Sequence, residues 1–235
     1  MKGRESFKRS SVRGVIFDLD DTLILSTIDF GKFKGEVIDK IEAWGEKRSN
    51  YPPSETIVVI LSRFESACRE RGLSEQVIRQ RLSELDRIMD RVELEWVEET
   101  KAIEGAFDLL TKLRAMGIKV GVLTRSCDEY ARTALSVTGM RDLVDEIECR
   151  NSDTKAKPDP ESYLKLSKAL GLRPEETLFV GDHPIDAQCA RNAGVLFVAV
   201  MTGDVPERAL RDAGSLEVFE NVGKMVDWVE RVVNG

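Results

Sequence analysis

The chain has a single histidine, His183, and four cysteines, Cys68, Cys127, Cys149 and Cys189, none of them paired at the C-x-x-C spacing that structural zinc usually requires. The thiols read as buried or reduced. No apolar run approaches the roughly 20 residues of a membrane span. The basic, polar start over residues 1–13 is not followed by a signal-type apolar stretch, so the expected location is the cytoplasm, with no membrane partner. Excess positive charge is missing too. The formal net charge is −7, which gives no general field to attract DNA or RNA, and nucleic acid is excluded as a first partner. Internal repeats and low-complexity tracts are absent.

What is present is ordinary for a folded chain: 235 residues, 42% hydrophobic and 33% charged, enough for one substantial core and a smaller second unit. Residues 12–17 form a short β-branched apolar run that stops at Asp18, as a buried parallel strand would, and similar runs recur at 118–123, 177–180 and 195–200. Helix-period segments lie between them, at 106–116, 129–137, 160–170 and 185–193, closed by Gly117, Gly139, Gly171 and Gly194. Alternation of this kind predicts an α/β fold with a doubly wound parallel sheet and right-handed crossovers.

From about Ser26 to Lys101 that rhythm breaks and the pattern becomes all-helical. Helices are expected at 33–47, at 55–71 after a Ser54 cap, and at 75–99 after a Ser74 cap, with Ile57, Leu61, Phe64 and Cys68 marking one apolar face. The charged stretch 93–101 reads as a solvated helix face. Residues 1–26 and 102–235 are thus assigned to an α/β core and residues 27–101 to an inserted helical domain.

Open parallel sheets bind ligands beyond the carboxyl ends of their strands. The first strand ends in Asp18-Leu19-Asp20-Asp21-Thr22-Leu23, the second in Thr124-Arg125-Ser126, and the third in Gly181-Asp182-His183-Pro184-Ile185-Asp186. Each alone reads as a cap or turn; their order, with Lys155-Ala156-Lys157-Pro158 between the second and third, points to phosphoryl chemistry. A carboxylate such as Asp18 can attack an anionic phosphate ester only if a divalent cation and a fixed positive side chain neutralise the transferring group. Asp18, Asp182 and the backbone carbonyl of Asp20 suffice as oxygen ligands for magnesium. Lys157 supplies the positive charge, and the Thr124 hydroxyl binds phosphate oxygen. Asp20 stands two residues from Asp18, a spacing that in extended backbone points both side chains the same way, and it is placed to protonate the leaving alkoxide and then deprotonate water. His183 is read as a turn residue beside the site rather than a base.

The four motifs in this order resemble the haloacid dehalogenase superfamily across nearly the whole chain: Asp18 to Leu23 resembles its first motif, Thr124 its second, Lys157-Pro158-Asp159-Pro160 its third, and Gly181-Asp182 through Asp186 its fourth. The resemblance implies a Rossmann-like core with Asp18 as nucleophile and metal ligand, Asp20 as acid/base and main-chain ligand, and Asp182 as ligand. It makes Asp186 a further or alternative ligand, Thr124 and Lys157 phosphate binders, Mg2+ the cofactor, and a small phosphorylated metabolite the substrate. Lys157 is preferred to Lys155 because its proline neighbour matches the motif. Arg125, where an asparagine is frequent, joins the phosphate-binding set. The helical insertion is similar to the cap of phosphoglycolate phosphatase-like members, and Asp20, which dehalogenases and phosphonate hydrolases of the superfamily generally lack, favours phosphoryl transfer and so implies a phosphoric monoester hydrolase. A phosphosugar mutase of the same superfamily and a non-enzymatic phosphoryl-binding or signalling module are the alternatives.

Overall fold

The computed structural model describes residues 12–234; the polar start, over residues 1–11, lies outside the described residues. Contacts divide the chain into two units, one formed by residues up to Ser26 and from Glu98 onward, the other by Thr27–Val97. The second unit ends before Lys101, the boundary expected from sequence, because Lys101 and Ala102 form a strand that pairs with Ile24 and Leu25 of the first unit.

In chain order the elements are β1 (Gly14–Phe17), β2 (Ile24–Leu25), α1 (Phe30–Ala43), α2 (Ile57–Glu70), α3 (Glu75–Leu94), β3 (Lys101–Ala102), α4 (Ala106–Ala115), β4 (Lys119–Leu123) and α5 (Asp128–Val137). There follow β5 (Glu146–Glu148), α6 (Glu161–Ala169), β6 (Thr177–Gly181), α7 (Pro184–Ala193), β7 (Leu196–Val200), α8 (Glu207–Asp212), β8 (Val218–Phe219) and α9 (Val226–Asn234). Six strands form one sheet in the order β5-β4-β1-β6-β7-β8, and every pair in it is parallel. The chain builds outward from β1 on one side through β4 and β5, then crosses back to build β6, β7 and β8 on the other, so β1 lies where the winding reverses. This is the expected doubly wound sheet.

The central strand is buried along its whole length, with Val15, Ile16 and Phe17 at zero exposure. Burying each such side chain contributes about 1.5–3 kcal/mol, which fixes the strand and with it the place of Asp18 one residue beyond. Its register is set on both flanks, Phe17 opposite Val122 of β4 and Val180 of β6. Ile16, Leu123, Tyr163, Phe179, Phe197 and Leu210 belong to one apolar cluster of this core. Two short strands of this sheet were not expected from sequence. β5 is a sheet edge reading Glu-Ile-Glu, and β8 is only two residues long.

The second unit is helical. α1 buries Phe33, Val37, Ile38 and Ile41, α2 buries Ile60, Phe64 and Cys68, and α3 buries Ile78, Leu85, Met89 and Val92, each set at helical spacing. Trp44 stacks on Phe64 with ring centroids 5.4 Å apart. Ser74 caps α3 as expected, whereas α2 is capped by Thr56 rather than Ser54. α3 stops at Leu94, and Glu93, expected on a solvated face, is buried. Among the described residues, no helix is long and apolar enough to cross a membrane.

Candidate active site

After Phe17 the chain leaves the sheet in a tight turn: the Leu19 carbonyl accepts from the amides of Thr22, Leu23 and Ile24, and Asp21 takes a left-handed φ of 53°. Aspartate is one of the few non-glycine residues that adopt this conformation readily. Asp18, tied to the sheet by its amide donating to the Val180 carbonyl at 2.8 Å, meets Lys157, while Asp20 meets Ser126, between β4 and α5, and Tyr130 of α5.

Lys157 comes from the loop before α6. Its Nζ lies 2.6 Å from Oδ1 of Asp18 and 2.8 Å from Oδ1 of Asp186, with only 3% of its side chain exposed. Burial works against its charge, but the two carboxylates outweigh it and raise the ammonium's pKa, so Lys157 stays protonated. Lys155 is 75% exposed and reaches only Asp159, which separates the two lysines.

Asp182 follows β6, and Asp186 lies in the first turn of α7. One oxygen each from Asp18, Asp182 and Asp186 lie within 4.8 Å of one another. Burial holds the carboxyls of Asp18 and Asp182 well above the usual carboxylate range, with neighbouring carboxylates adding to the rise and Lys157 opposing it. Three clustered carboxylates against one ammonium leave an excess of buried negative charge. An all-oxygen donor set of that charge fits a hard divalent cation. Asp186 is already engaged on both oxygens, since Oδ2 accepts from the His183 amide at 3.1 Å. His183 itself caps α7, its Nδ1 accepting from the Ile185 amide at 3.1 Å, a turn residue's task.

Thr124 follows β4 and is buried; its Oγ1 accepts from the Ser126 amide at 3.0 Å and stands 3.5 Å from Oδ2 of Asp20. Arg125 is half-buried, and burial lowers the pKa of its guanidinium while Asp18 and Asp186 pull it back up, which places it in the field of the acidic cluster. The structure thus gathers Asp18, Lys157, Asp182 and Asp186 into one cluster and sets Asp20 and Thr124 together beside it.

The haloacid dehalogenase-like hydrolase family profile matches residues 15–200, from β1 to the end of β7 and across all four motifs. The chain belongs to the haloacid dehalogenase-like hydrolases. A phosphoglycolate phosphatase of Rhodospirillum rubrum is 34% identical over 125 residues, a match spanning 53% of this chain and 52% of that protein. A validoxylamine A 7'-phosphate phosphatase of Streptomyces hygroscopicus is 27% identical over 80% of this chain and 84% of its own. Among solved structures, a hydrolase from Pseudomonas syringae shares the fold with a TM-score of 0.68 at 21% identity, covering 93% of this chain and 98% of that one.

Within this haloacid dehalogenase-like frame, four residues near the acidic groups had not been singled out from sequence. Ser126 and Tyr130 donate to the two oxygens of Asp20. Thr22 donates to Oδ1 of Asp182 at 3.3 Å. Gly203, in the loop after β7, approaches so closely that a Cβ there would stand 2.1 Å from Oδ2 of Asp182. Its neighbour Thr202 donates to the Asp21 carbonyl, tying the same loop to the first-motif turn. The sequence carried one usable signal: a strand-end position on β7, where ligand-facing residues of such sheets collect.

Proposed function

We propose that this chain hydrolyses a small phosphorylated metabolite in two displacements through an aspartyl-phosphate on Asp18, with Mg2+ as cofactor. Its class is that of a phosphoric monoester hydrolase. The observation that carries the reading is the buried group of Asp18, Asp182 and Asp186 around Lys157, at the carboxyl end of the strand where the winding reverses. Relatives named as phosphatases support it.

Asp18, Asp182 and the main-chain carbonyl of Asp20 are the residues that would hold magnesium, with Asp186 behind them. When bound, the ion supplies the positive charge that lets a carboxylate approach an anionic phosphoryl group. In the first displacement an Asp18 oxygen forms a bond to phosphorus as the ester bond breaks, and Asp20, as the acid, gives its proton to the departing alkoxide. In the second, Asp20 as carboxylate takes a proton from water, whose oxygen bonds to phosphorus; the Asp18–phosphate bond breaks and inorganic phosphate leaves. Lys157 stays protonated throughout and opposes the charge that builds on the phosphoryl oxygens, joined by the Thr124 hydroxyl and Arg125. The helical unit Thr27–Val97 acts as the cap that selects the substrate.

Phosphate release from 4-nitrophenyl phosphate and from 2-phosphoglycolate, measured after exhaustive chelation and again with added Mg2+, tests the reading. Activity should vanish and return, and Asp18→Asn should form no phosphoenzyme. Full turnover in chelated protein would overturn the proposal.

A further inference from the structure

Three hydroxyls from one crossover face Asp20. Ser126 Oγ donates to Oδ2 at 2.9 Å, Tyr130 Oη donates to Oδ1 at 2.8 Å, and Thr124 Oγ1 lies at 3.5 Å from Oδ2. All three residues are buried, and Tyr130 has no exposed surface. Their carrier is rigid: β4 lies next to β1 in the sheet, and α5 begins under a Cys127 cap whose sulfur accepts from the Tyr130 amide. Phenylalanine would fill the Tyr130 site with the same ring. What the phenol adds is a donor, and the donor reaches the residue that, on the reading above, must deliver a proton in one transition state and remove one in the next.

We propose that Tyr130, together with Ser126, is the positioning residue of Asp20: each hydroxyl pins one carboxylate oxygen, so that the proton carrier stays in a single orientation through both displacements. Asp20 sits on a tight turn with rotatable bonds of its own, and a carboxylate free to swing loses the benefit of fixed proximity. The two donors stand on different supports, a loop and a helix, and together they fix the carboxylate plane where one alone would leave it free to pivot. Both hydroxyls act through Asp20. The inference rests on the assignment of Asp20 as the acid and base of a phosphatase.

The test uses full-length protein with Mg2+ and two probes, 4-nitrophenyl phosphate, whose leaving group needs little protonation, and benzyl phosphate, whose alkoxide needs it. For Tyr130→Phe, kcat/KM on benzyl phosphate should fall on the order of 10- to 100-fold, the scale of losing a hydrogen bond to a charged group. On 4-nitrophenyl phosphate it should stay within roughly 3-fold. The loss should appear in kcat, with KM nearly unchanged. Asp20→Asn should show the same selectivity with a larger loss, and adding Tyr130→Phe to it should cost nothing further, because the two residues act as one unit. Equal losses on both probes, no loss on benzyl phosphate, or an additive loss in the Asp20→Asn background would overturn the proposal. Absence of selectivity in Asp20→Asn itself would overturn the acid/base assignment and the proposal with it. Should Tyr130→Phe fail to fold, Ser126→Ala carries the same measurement through the other oxygen, and an unselective loss there is equally decisive.

Discussion

The ammonium of Lys157 stands 2.6 Å from an oxygen of Asp18, between side chains only 3% and 13% exposed. A charge pair so shielded from water is bound closely to its neighbours, and removing one partner strands the other. Lys157→Ala leaves Asp18 and Asp186 facing each other without the cation that joins them. The expected cost is about 3–5 kcal/mol in urea unfolding under chelation. Turnover should fall on the order of 10²–10³-fold, the scale of losing one charge-stabilising donor. A variant of wild-type stability would show that the carboxylates do not depend on the lysine.

Gly203 leaves Asp182 no room to retreat. A methyl group added there meets the carboxylate at 2.1 Å, and Thr22 holds the same carboxylate on its other oxygen. Gly203→Ala should weaken magnesium activation on the order of 10–100-fold, as changes behind metal ligands do. The thermal midpoint should move little, since the atom displaced is the end of one side chain. An unchanged activation curve would argue against Asp182 as a ligand.

The helical unit is inserted between two strands that pair with each other, Leu25 opposite Lys101 and Ile24 opposite Ala102. Its entry and exit are therefore adjacent, and replacing Thr27–Val97 with a short glycine-serine turn closes a hairpin. The shortened chain should keep turnover of 4-nitrophenyl phosphate and lose discrimination across a panel of phosphorylated metabolites. Retained discrimination would remove substrate selection from the insertion.

All four cysteines are buried as free thiols, and burial beside Asp128 pushes the Cys149 thiol up to about 12. At pH 8 such a thiol holds ~10⁴-fold less thiolate than thiol, so its reaction with a disulfide reagent should be slow. Native protein should therefore label little within minutes, label faster as pH rises, and yield all four thiols in denaturant. Rapid native labelling of Cys149 would contradict the burial.

Much of the core was legible because its signals are local. A β-branched run that stops at Asp18 marks the first strand and its end, and Asp182 stands two residues beyond the run at 177–180. Asp186, Lys157 and Thr124 followed from order along the chain. Ser126 and Tyr130 were not found, because their role depends on which strand lies beside β1, and no periodicity states that. Tyr130 occupies an ordinary core position of α5, and only its buried phenol, which needs a partner, hinted otherwise.

Because β1 sits between β4 and β6, Asp18 waits for partners made far later in the chain. Lys157 and Asp182, which complete its surroundings, follow it by 139 and 164 residues. A nascent chain stalled before β6 would carry Asp18 in a sheet missing one flank. A chain ending before Thr177 is therefore expected to show no turnover, since it lacks Asp182 and the strands of that flank.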